Sequence, residues 1–466
     1  MNHKDIAVGL DIGTTKIVAI IAQRSPTGHI KILGIGQVKS TGIKRGLVIN
    51  VDRTTAEVKS AIQKAESNAG LHVPEVTVGI AGMHIRSVQH YEYITRSDSD
   101  SSIKSEDIDL LINGVRKIRM LPGEEILHVL PQEFHVDSDT GIKEPEGMTG
   151  SRLGANFHIV VGQIYSIQNL GACVINNTLK LKGITLEPLA SAESCLNDEE
   201  KEAGVVLLDI GGGTTDLAIF KDGIIRHTAV IPIGGQFVTN DIRRECNIIE
   251  KQAELLKIKF GSAWPLQNSE HEIVSIPGLR GRERKEISLR NLSIIIHTRL
   301  LEIIDLVCVE IENYEAHGAH EKLIAGVVLT GGGSAIKDLP QLVKYHTGMD
   351  ARVGTPTDRI DSQSVKKLNH PLYATSIGLA LMATEKKYEE RLEQERLEHE
   401  AQRLATQQLD QASFSTLDQS EPKPNKERLE EQPQSKIKTF FSKLIDFDMD
   451  KLKNKIISFV DDEDEN

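Results

Sequence analysis

Residues 207–216 read LLDIGGGTTD. An apolar, strand-forming run stops at an aspartate, three glycines follow, and two threonines and a second aspartate complete the stretch. Glycine has no Cβ, so successive backbone N–H groups in such a turn can approach an oxyanion closely, and the threonine hydroxyls add donors beside them. The same order recurs as DIGTTK at 11–16 and VVLTGGGSAI at 327–336. A single turn of this kind is more often an ordinary tight turn than a phosphate cradle. Three in one chain, each closing a strand and two headed by aspartate, point to a bound phosphate compound. Asp11 and Asp209 stand where a Mg²⁺ that accompanies phosphates would be held through its waters, since this ion keeps most of its hydration shell and takes few direct carboxylates. The pattern is neither GxxxxGK[ST] nor a dinucleotide fingerprint, because the glycines lie within hairpins and no βαβ crossover follows the first pair.

Outward from these turns the chain repeats itself. AVGLDIG, KIVAIIAQ and HIKILGIGQV read as three strands near the start, and GVVLLDIGGG, TTDLAIFKDG and IIRHTAVIPIGG read as three more from 204 onward. A helical stretch follows each set. TAEVKSAIQKAESNAG is expected to be capped by Thr54 or Thr55 and closed by Gly70, and TNDIRRECNIIEKQAELLKIKFG to run as one helix from a cap at Thr239 or Asn240 to Gly261. Two β-β-β-α units suggest two related α/β domains that face each other. Between them, residues 85–165 read as a small α/β insert with one helical piece, SEDIDLLINGVRKIR.

Composition narrows the function. The 466 residues are 39% hydrophobic and 26% charged, as expected of a folded body with a polar extension, and the formal net charge of −12 argues against a nucleic-acid partner. Cys173, Cys195, Cys246 and Cys308 lie far apart and read as free, buried thiols. The 16 histidines are scattered, and no cysteine–histidine pair suggests a nucleophile. The start, MNHKDIAVGLDIGTTK, reads as neither a signal peptide nor a membrane span.

DIGTTK, DIGGGTTD and LTGGGSAI resemble the phosphate-1, phosphate-2 and adenosine motifs of the actin-like ATPases, a superfamily that includes heat-shock chaperone ATPases and sugar kinases. Within it the chain is similar to the FtsA family of bacterial cell-division proteins. KRGLVINVDRT (44–54), VGIAGMHIRS (78–87), GMTGSRLGANFHIV (147–160), LEPLASAESCL (186–196), IPIGGQFVTNDIRR (231–244), IPGLRGRERKEISLRNL (276–292) and YATSIGLALM (373–382) carry that similarity across roughly residues 1–384.

The resemblance implies an α/β, actin-like (ribonuclease H-like) two-domain ATPase fold that binds ATP with Mg²⁺. It implies that Gly13, Thr14, Thr15 and Lys16 face the phosphates from one domain and Gly211, Gly212, Gly213, Thr214 and Thr215 from the other, with Gly234 and Gly235 as a further phosphate-facing turn. Glu254 and Lys257 would hold ribose and adenine, and Gly331, Gly332, Gly333 and Ser334 would lie along the nucleoside. Glu187 matches the residue that orients the attacking water in chaperone members, although this family is not known for vigorous hydrolysis and the acid is otherwise a buried or capping glutamate.

The domain division expected is 1–84, 166–200 and 366–384 for the first domain, 85–165 for the insert, and 201–235 and 325–365 for the second domain. Residues 236–324 match the subdomain that receives the C-terminal peptide of FtsZ, the tubulin-like division GTPase, with Arg290 in RGRERKEISLR as the best single docking candidate against a solvated helix start. The insert is implied to serve self-association and recruitment of later division proteins. A small-molecule kinase of the same fold is the competing reading. It would need substrate-binding insertions and would show hydrolysis that depends on added metabolite. A chaperone would need a β-rich substrate domain after Leu381, where only charged and polar sequence follows.

Residues 385–434 read as a charged, solvated helix and then, from Ala412, a disordered Ser/Gln/Asp/Glu/Pro linker. At 435–460 the character changes. Ile437, Phe440, Phe441, Leu444, Ile445, Met449, Leu452, Ile456 and Phe459 recur at spacings of mostly three or four on one side of a helix. Lys436 and Lys443 lie opposite, and Lys438, Lys453 and Lys455 lie at the margin, where their stems can snorkel. Three readings compete: a helix that returns to the core, a partner-protein helix, and attachment to an anionic membrane surface. The Phe/Ile/Leu face flanked by lysines favours the last. Asp446, Asp448 and Asp450 interrupt the face and suggest two short helices; DDEDEN at 461–466 is acidic and should point away from such a surface. The expectation is a peripheral protein on the cytoplasmic side of the cytoplasmic membrane, at the division site.

Overall fold

The computed structural model describes residues 5–414 apart from 268–270, 279–282, 317–321, 357–358 and 362–367. The expected linker from 415, the amphipathic segment 435–460, the acidic 461–466 and part of RGRERKEISLR lie outside the described residues.

The repeat seen in the sequence is a repeat in topology. In the first sheet Ile6–Ile12, Lys16–Arg24 and Ile30–Lys39 form an antiparallel meander, and Glu75–Ile80 and then Lys180–Leu186 extend it in parallel from the first strand. In the second, Val205–Ile210, Thr215–Lys221 and Ile224–Ile231 form the meander, extended in parallel by Gly326–Thr330 and Ala351–Val353. Both first strands are buried from Val8 and Val205 onward, so their side chains are covered on both faces and the runs need not alternate.

Close packing brings helices onto these sheets. A Cβ on Gly36 would stand 1.8 Å from the Ala61 carbonyl oxygen, so this strand accepts the helix Val51–Ala69 only as glycine. The helix Ala374–Phe414 begins in the core, with Ile377, Ala380 and Leu381 buried, and crosses the helix Glu187–Cys195 where a Cβ on Gly378 would meet the Ala190 oxygen at 1.7 Å. After Met382 it becomes charged as expected and is fastened to the first domain through Arg24–Glu385, Glu75–Lys387 and Asp5–Arg391. It runs to Phe414, three residues into the stretch expected to be disordered.

The insert is a four-stranded antiparallel sheet in the order Ile85–Thr95, Arg152–Gln163, Glu124–Val136, Asp139–Ile142, with the helix Ser105–Val115 against it. It meets the second domain along Ile224–Ile231, where Ile225 belongs to the same buried apolar cluster as the insert and polar groups bond across. His158 Nε2 lies 2.8 Å from Thr228 Oγ1, Gln132 donates to the Arg226 carbonyl at 2.9 Å, and Arg226 pairs with Glu133 at 2.9 Å. Burial pushes His158 down to about 3, so it is neutral there.

Two helix expectations are corrected. The cap of Val51–Ala69 is Asn50, whose side chain accepts the Arg53 N–H at 2.8 Å; Thr54 lies inside the helix with its hydroxyl on the Asn50 carbonyl, while the Gly70 stop holds at φ 69°. The expected single helix from Thr239 or Asn240 to Gly261 is two helices. Gly235–Glu245 starts earlier, capped at Gly234, and Glu250–Phe260 follows a break at which Asn247 takes φ 47°. Asparagine tolerates this left-handed turn, and its place in ECNII could have flagged it. All four cysteines are free, three buried and Cys308 half-buried. Among the described residues no helix is long and apolar enough to cross a membrane.

Glycine spacing can be tested directly. Gly36→Ala should destabilise the chain by about 2 kcal/mol or more through overpacking, whereas Gly114→Ala, in a helix with nothing within 4 Å of the added carbon, should stabilise it by about 0.5–1 kcal/mol. Chemical denaturation of the two variants checks the pair; equal effects would contradict the packing account.

Candidate functional site

The ends of both first strands point into one cleft of about 300 Å³. DIGTTK supplies Asp11, Gly13, Thr14, Thr15 and Lys16 to its wall; the second turn supplies Asp209, Gly211, Gly212, Gly213 and Thr214; Gly331, Gly332 and Gly333 close a third side. Gly235, Glu254 and Lys257 line it as well, and Glu187 stands at its floor. Thr215, Gly234 and Ser334 do not line it. The Thr215 hydroxyl donates to the Ile233 carbonyl at 2.8 Å, Ser334 donates to the Gly331 carbonyl at 2.8 Å, and Gly234 caps the helix Gly235–Glu245. These three stand behind the wall and shape it.

The two domains touch at their glycine turns. A Cβ on Gly212 would meet Thr15 Cγ2 at 2.3 Å, and one on Gly213 would meet Thr14 Oγ1 at 2.6 Å and Arg45 Cα at 2.9 Å. Thr14 Oγ1 in turn accepts the Gly46 N–H at 3.2 Å. On the opposite side Lys257 donates to the Gly235 carbonyl at 2.9 Å and to Thr239 Oγ1 at 2.8 Å, and pairs with Glu254 at 2.8 Å. Lys257 is thus pinned, with Glu254 the more exposed partner.

Charge is unbalanced. Asp11, Glu187, Asp209 and Asp216 share the cleft with Lys16, which lies 3.3 Å from Asp11 and donates to the Leu372 carbonyl at 2.8 Å. Burial first, then Asp11, Asp216 and Asp209, raise the Glu187 carboxyl well above its ordinary range, and Lys16 only partly offsets them. Burial and Asp209, directly across the strand pair, push Asp216 up to about 8. Burial raises Asp209 as well, opposed by hydroxyl donors from Ser191 at 2.7 Å and Thr375 at 2.9 Å. Asp216 was missed as a site residue in the sequence. The signal was there, because an aspartate closing the hairpin at register with Asp209 places two carboxylates side by side.

The donor set fits a hydrated divalent cation. Asp216 Oδ1 is buried without a hydrogen-bond partner, and around the strand ends four carboxylates face the single ammonium of Lys16, since Glu254 and Lys257 pair with each other at the far side of the cleft. Among the described residues no three Asp, Glu, His or Cys side chains are placed to ligate one ion directly, so water must intervene, as Mg²⁺ prefers. Arg290 lies elsewhere, in the first turn of the helix Leu289–Ala316 and outside the cleft.

The raised Asp216 carboxyl gives stability a pH dependence. Its folded-state value lies above the unfolded one, so the contribution is full at low pH and is lost as pH rises from about 4 through about 8. In chelator without nucleotide, thermal unfolding midpoints should fall by roughly 3 °C or more between pH 5 and 8, and Asp216→Asn should flatten that fall. A variant with the wild-type slope would contradict the assignment.

Comparison with known proteins adds the family. The family model described as "Cell division protein FtsA" matches residues 206–378, and that described as "SHS2 domain inserted in FTSA" matches residues 82–161. The cell division protein FtsA of Pseudomonas aeruginosa is 37% identical over 383 residues, covering 81% of this chain and 89% of the relative. That of Escherichia coli K12 is 31% identical over 382 residues, covering 81% and 90%. Among solved structures, the PilM–PilN type IV pilus biogenesis complex matches with a TM-score of 0.59 at 15% identity, covering 81% of this chain and 98% of that one. MreB5 of Spiroplasma citri bound to ADP matches with 0.51 at 14%, covering 83% and 98%. These structural matches carry the actin-like fold alone. With the duplicated sheet, the inserted domain and more than 30% identity over four fifths of its length, the chain belongs to the FtsA family of cell division proteins.

Proposed function

We propose that this chain is an ATP-binding tether that joins the FtsZ ring to the cytoplasmic membrane, associates with copies of itself and recruits later division proteins. The observation that carries the reading is the segment 435–460. Its Ile/Phe/Leu side with flanking lysines follows a polar spacer, in a chain whose preceding part belongs to a division family.

In this reading Thr14, Thr15, Lys16 and the turn Gly211–Thr214 hold the phosphates, Gly331–Gly333, Glu254 and Lys257 hold the nucleoside, and Asp11 and Asp209 hold Mg²⁺ through water. When bound, the cation would supply the positive charge the carboxylates lack, and the nucleotide a triphosphate that both domains can grip. Lys16 and the hydroxyls orient the phosphates from one side while the glycine turn excludes water from the other. Glu187, whose carboxyl burial and the neighbouring aspartates raise above its ordinary range, stands at the floor where it could orient a water, in a family not known for vigorous hydrolysis. In this reading the FtsZ peptide docks on residues 236–324, with Arg290 the best single candidate, and later division proteins meet the insert. Self-association would multiply weak membrane contacts by avidity.

Co-sedimentation with anionic vesicles tests the tether. The full chain should pellet with them and largely lose binding when 436–460 is removed, more so as salt is raised; unchanged binding after removal would end the tether reading.

A further inference from the structure

The short segment Pro371–Thr375 shares a hydrogen bond with each of the three glycine turns, accepting from the first and third and donating to the second. From the first, Lys16 Nζ donates to the Leu372 carbonyl at 2.8 Å. From the third, the Gly331 N–H donates to the Pro371 carbonyl at 3.2 Å. From the second, Asp209 Oδ2 accepts the Thr375 hydroxyl at 2.9 Å, together with that of Ser191 at 2.7 Å. Those two hydroxyls lie 3.0 Å apart, and all three groups are buried.

Asp209 and Gly331 belong to the second domain, whereas Ser191 and the body of the helix Ala374–Phe414 are built into the first. That helix is locked there at Gly378 against Ala190, and at Ala380, whose nitrogen would lie 2.6 Å from a Cβ on Gly9. Its first turn is therefore the place where a first-domain helix is bonded to second-domain groups. Asp209 is committed on two sides, because it lines the cleft and accepts both hydroxyls on one oxygen. Its charge also lies at the positive end of a long helix, which favours the carboxylate there. Beyond Gly378 the helix has no glycine or proline before Phe414, so it has no built-in kink to absorb a change at its start.

We propose that Ser191 and Thr375 are positioning residues that share Asp209 between the cleft and the start of the helix Ala374–Phe414, so that occupancy of the cleft is reported to the helix that leads toward the segment 435–460. This rests on the nucleotide reading above. A charged ligand that engages Asp209 fixes the carboxylate, and the two hydroxyls then hold the first turns of the helix in one arrangement. Ser191 acts through Asp209, Thr375 acts through Asp209 and also lines the cleft itself, and the chemistry requires a polyphosphate with a hydrated divalent cation.

Hydrogen exchange on the full chain, with and without Mg²⁺ and a non-hydrolysable ATP analogue at concentrations shown to saturate each protein, tests the relay. In the wild type the ligand should slow exchange across residues 376–386 by about tenfold, within the usual range for coupling between two sites. Thr375→Val should abolish the slowing at saturation, and Thr375→Ser, which keeps the hydroxyl, should restore it. A full response in Thr375→Val, or none in Thr375→Ser, overturns the proposal. If Thr375→Val does not fold, Ser191→Ala decides the same point, and an undiminished response there overturns it. Saturable binding with no exchange change in the wild type overturns the relay alone; no binding of the analogue overturns the nucleotide reading and the relay with it.

Discussion

Four carboxylates and one ammonium at the meeting point of two sheets are the constraint on which this structure turns. Asp11 and Asp209 are the last charged residues of buried strands, Asp216 faces Asp209 across a hairpin, and Glu187 begins a helix at the same floor. Burying charge without compensation costs several kcal/mol per group, so the cleft relieves it by every local means. Lys16 sits beside Asp11, Ser191 and Thr375 donate to Asp209, and Thr214 donates to Asp216 at 3.1 Å. What remains is an upward pKa shift of Glu187, Asp209 and Asp216, driven first by burial. A structure that held its shape for stability alone would not concentrate acids in this way, and perturbed carboxylates in a cleft are a mark of a site that completes itself with a ligand.

The duplicated sheet explains why the acids meet. Each meander ends its first strand in a glycine turn, and two such units face one another, so the turns interdigitate with no room for side chains at Gly212 and Gly213. The insert bridges from the first domain to the second on a different face, along Ile224–Ile231. Hydroxyl, amide, imidazole and one Arg–Glu pair bond across it, beside a buried apolar cluster that the insert shares with Phe220 and Ile225 of the second domain. The cleft, the Pro371–Thr375 segment and the insert contact are thus three places where the two halves hold each other: by close-packed glycine turns at the first, by hydrogen bonds at the second and by hydrogen bonds beside apolar packing at the third.

Much of this was legible in the sequence because backbone chemistry wrote it there. Glycine turns after apolar strands announced the cleft, their repetition announced two domains, and Gly70 announced a helix end. Other features were hidden because tertiary context decides them. Asn50 outcompeted Thr54 as a cap since the helix begins where Gly42 lets the chain turn against Thr54, and a Cβ there would lie 2.3 Å from its hydroxyl. Asn247 split a helix that periodicity joined. Thr215, Gly234 and Ser334 carry the motif's residue types yet face inward, where they brace the wall. Ser191 and Thr375 sit in LEPLASAESCL and YATSIGLALM with nothing nearby in sequence to mark them, because their partner Asp209 is brought to them only by the fold.

The account's central claim is that the cleft is a negatively charged seat completed by a divalent cation and a nucleotide together. Calorimetric titration of the full chain with ATP, in Mg²⁺ and again in chelator, tests it most directly. The account predicts binding at least about tenfold tighter with Mg²⁺, a difference of about 1.4 kcal/mol, because ATP alone would add its charge to that of the four carboxylates. Equal or tighter binding in chelator would contradict it.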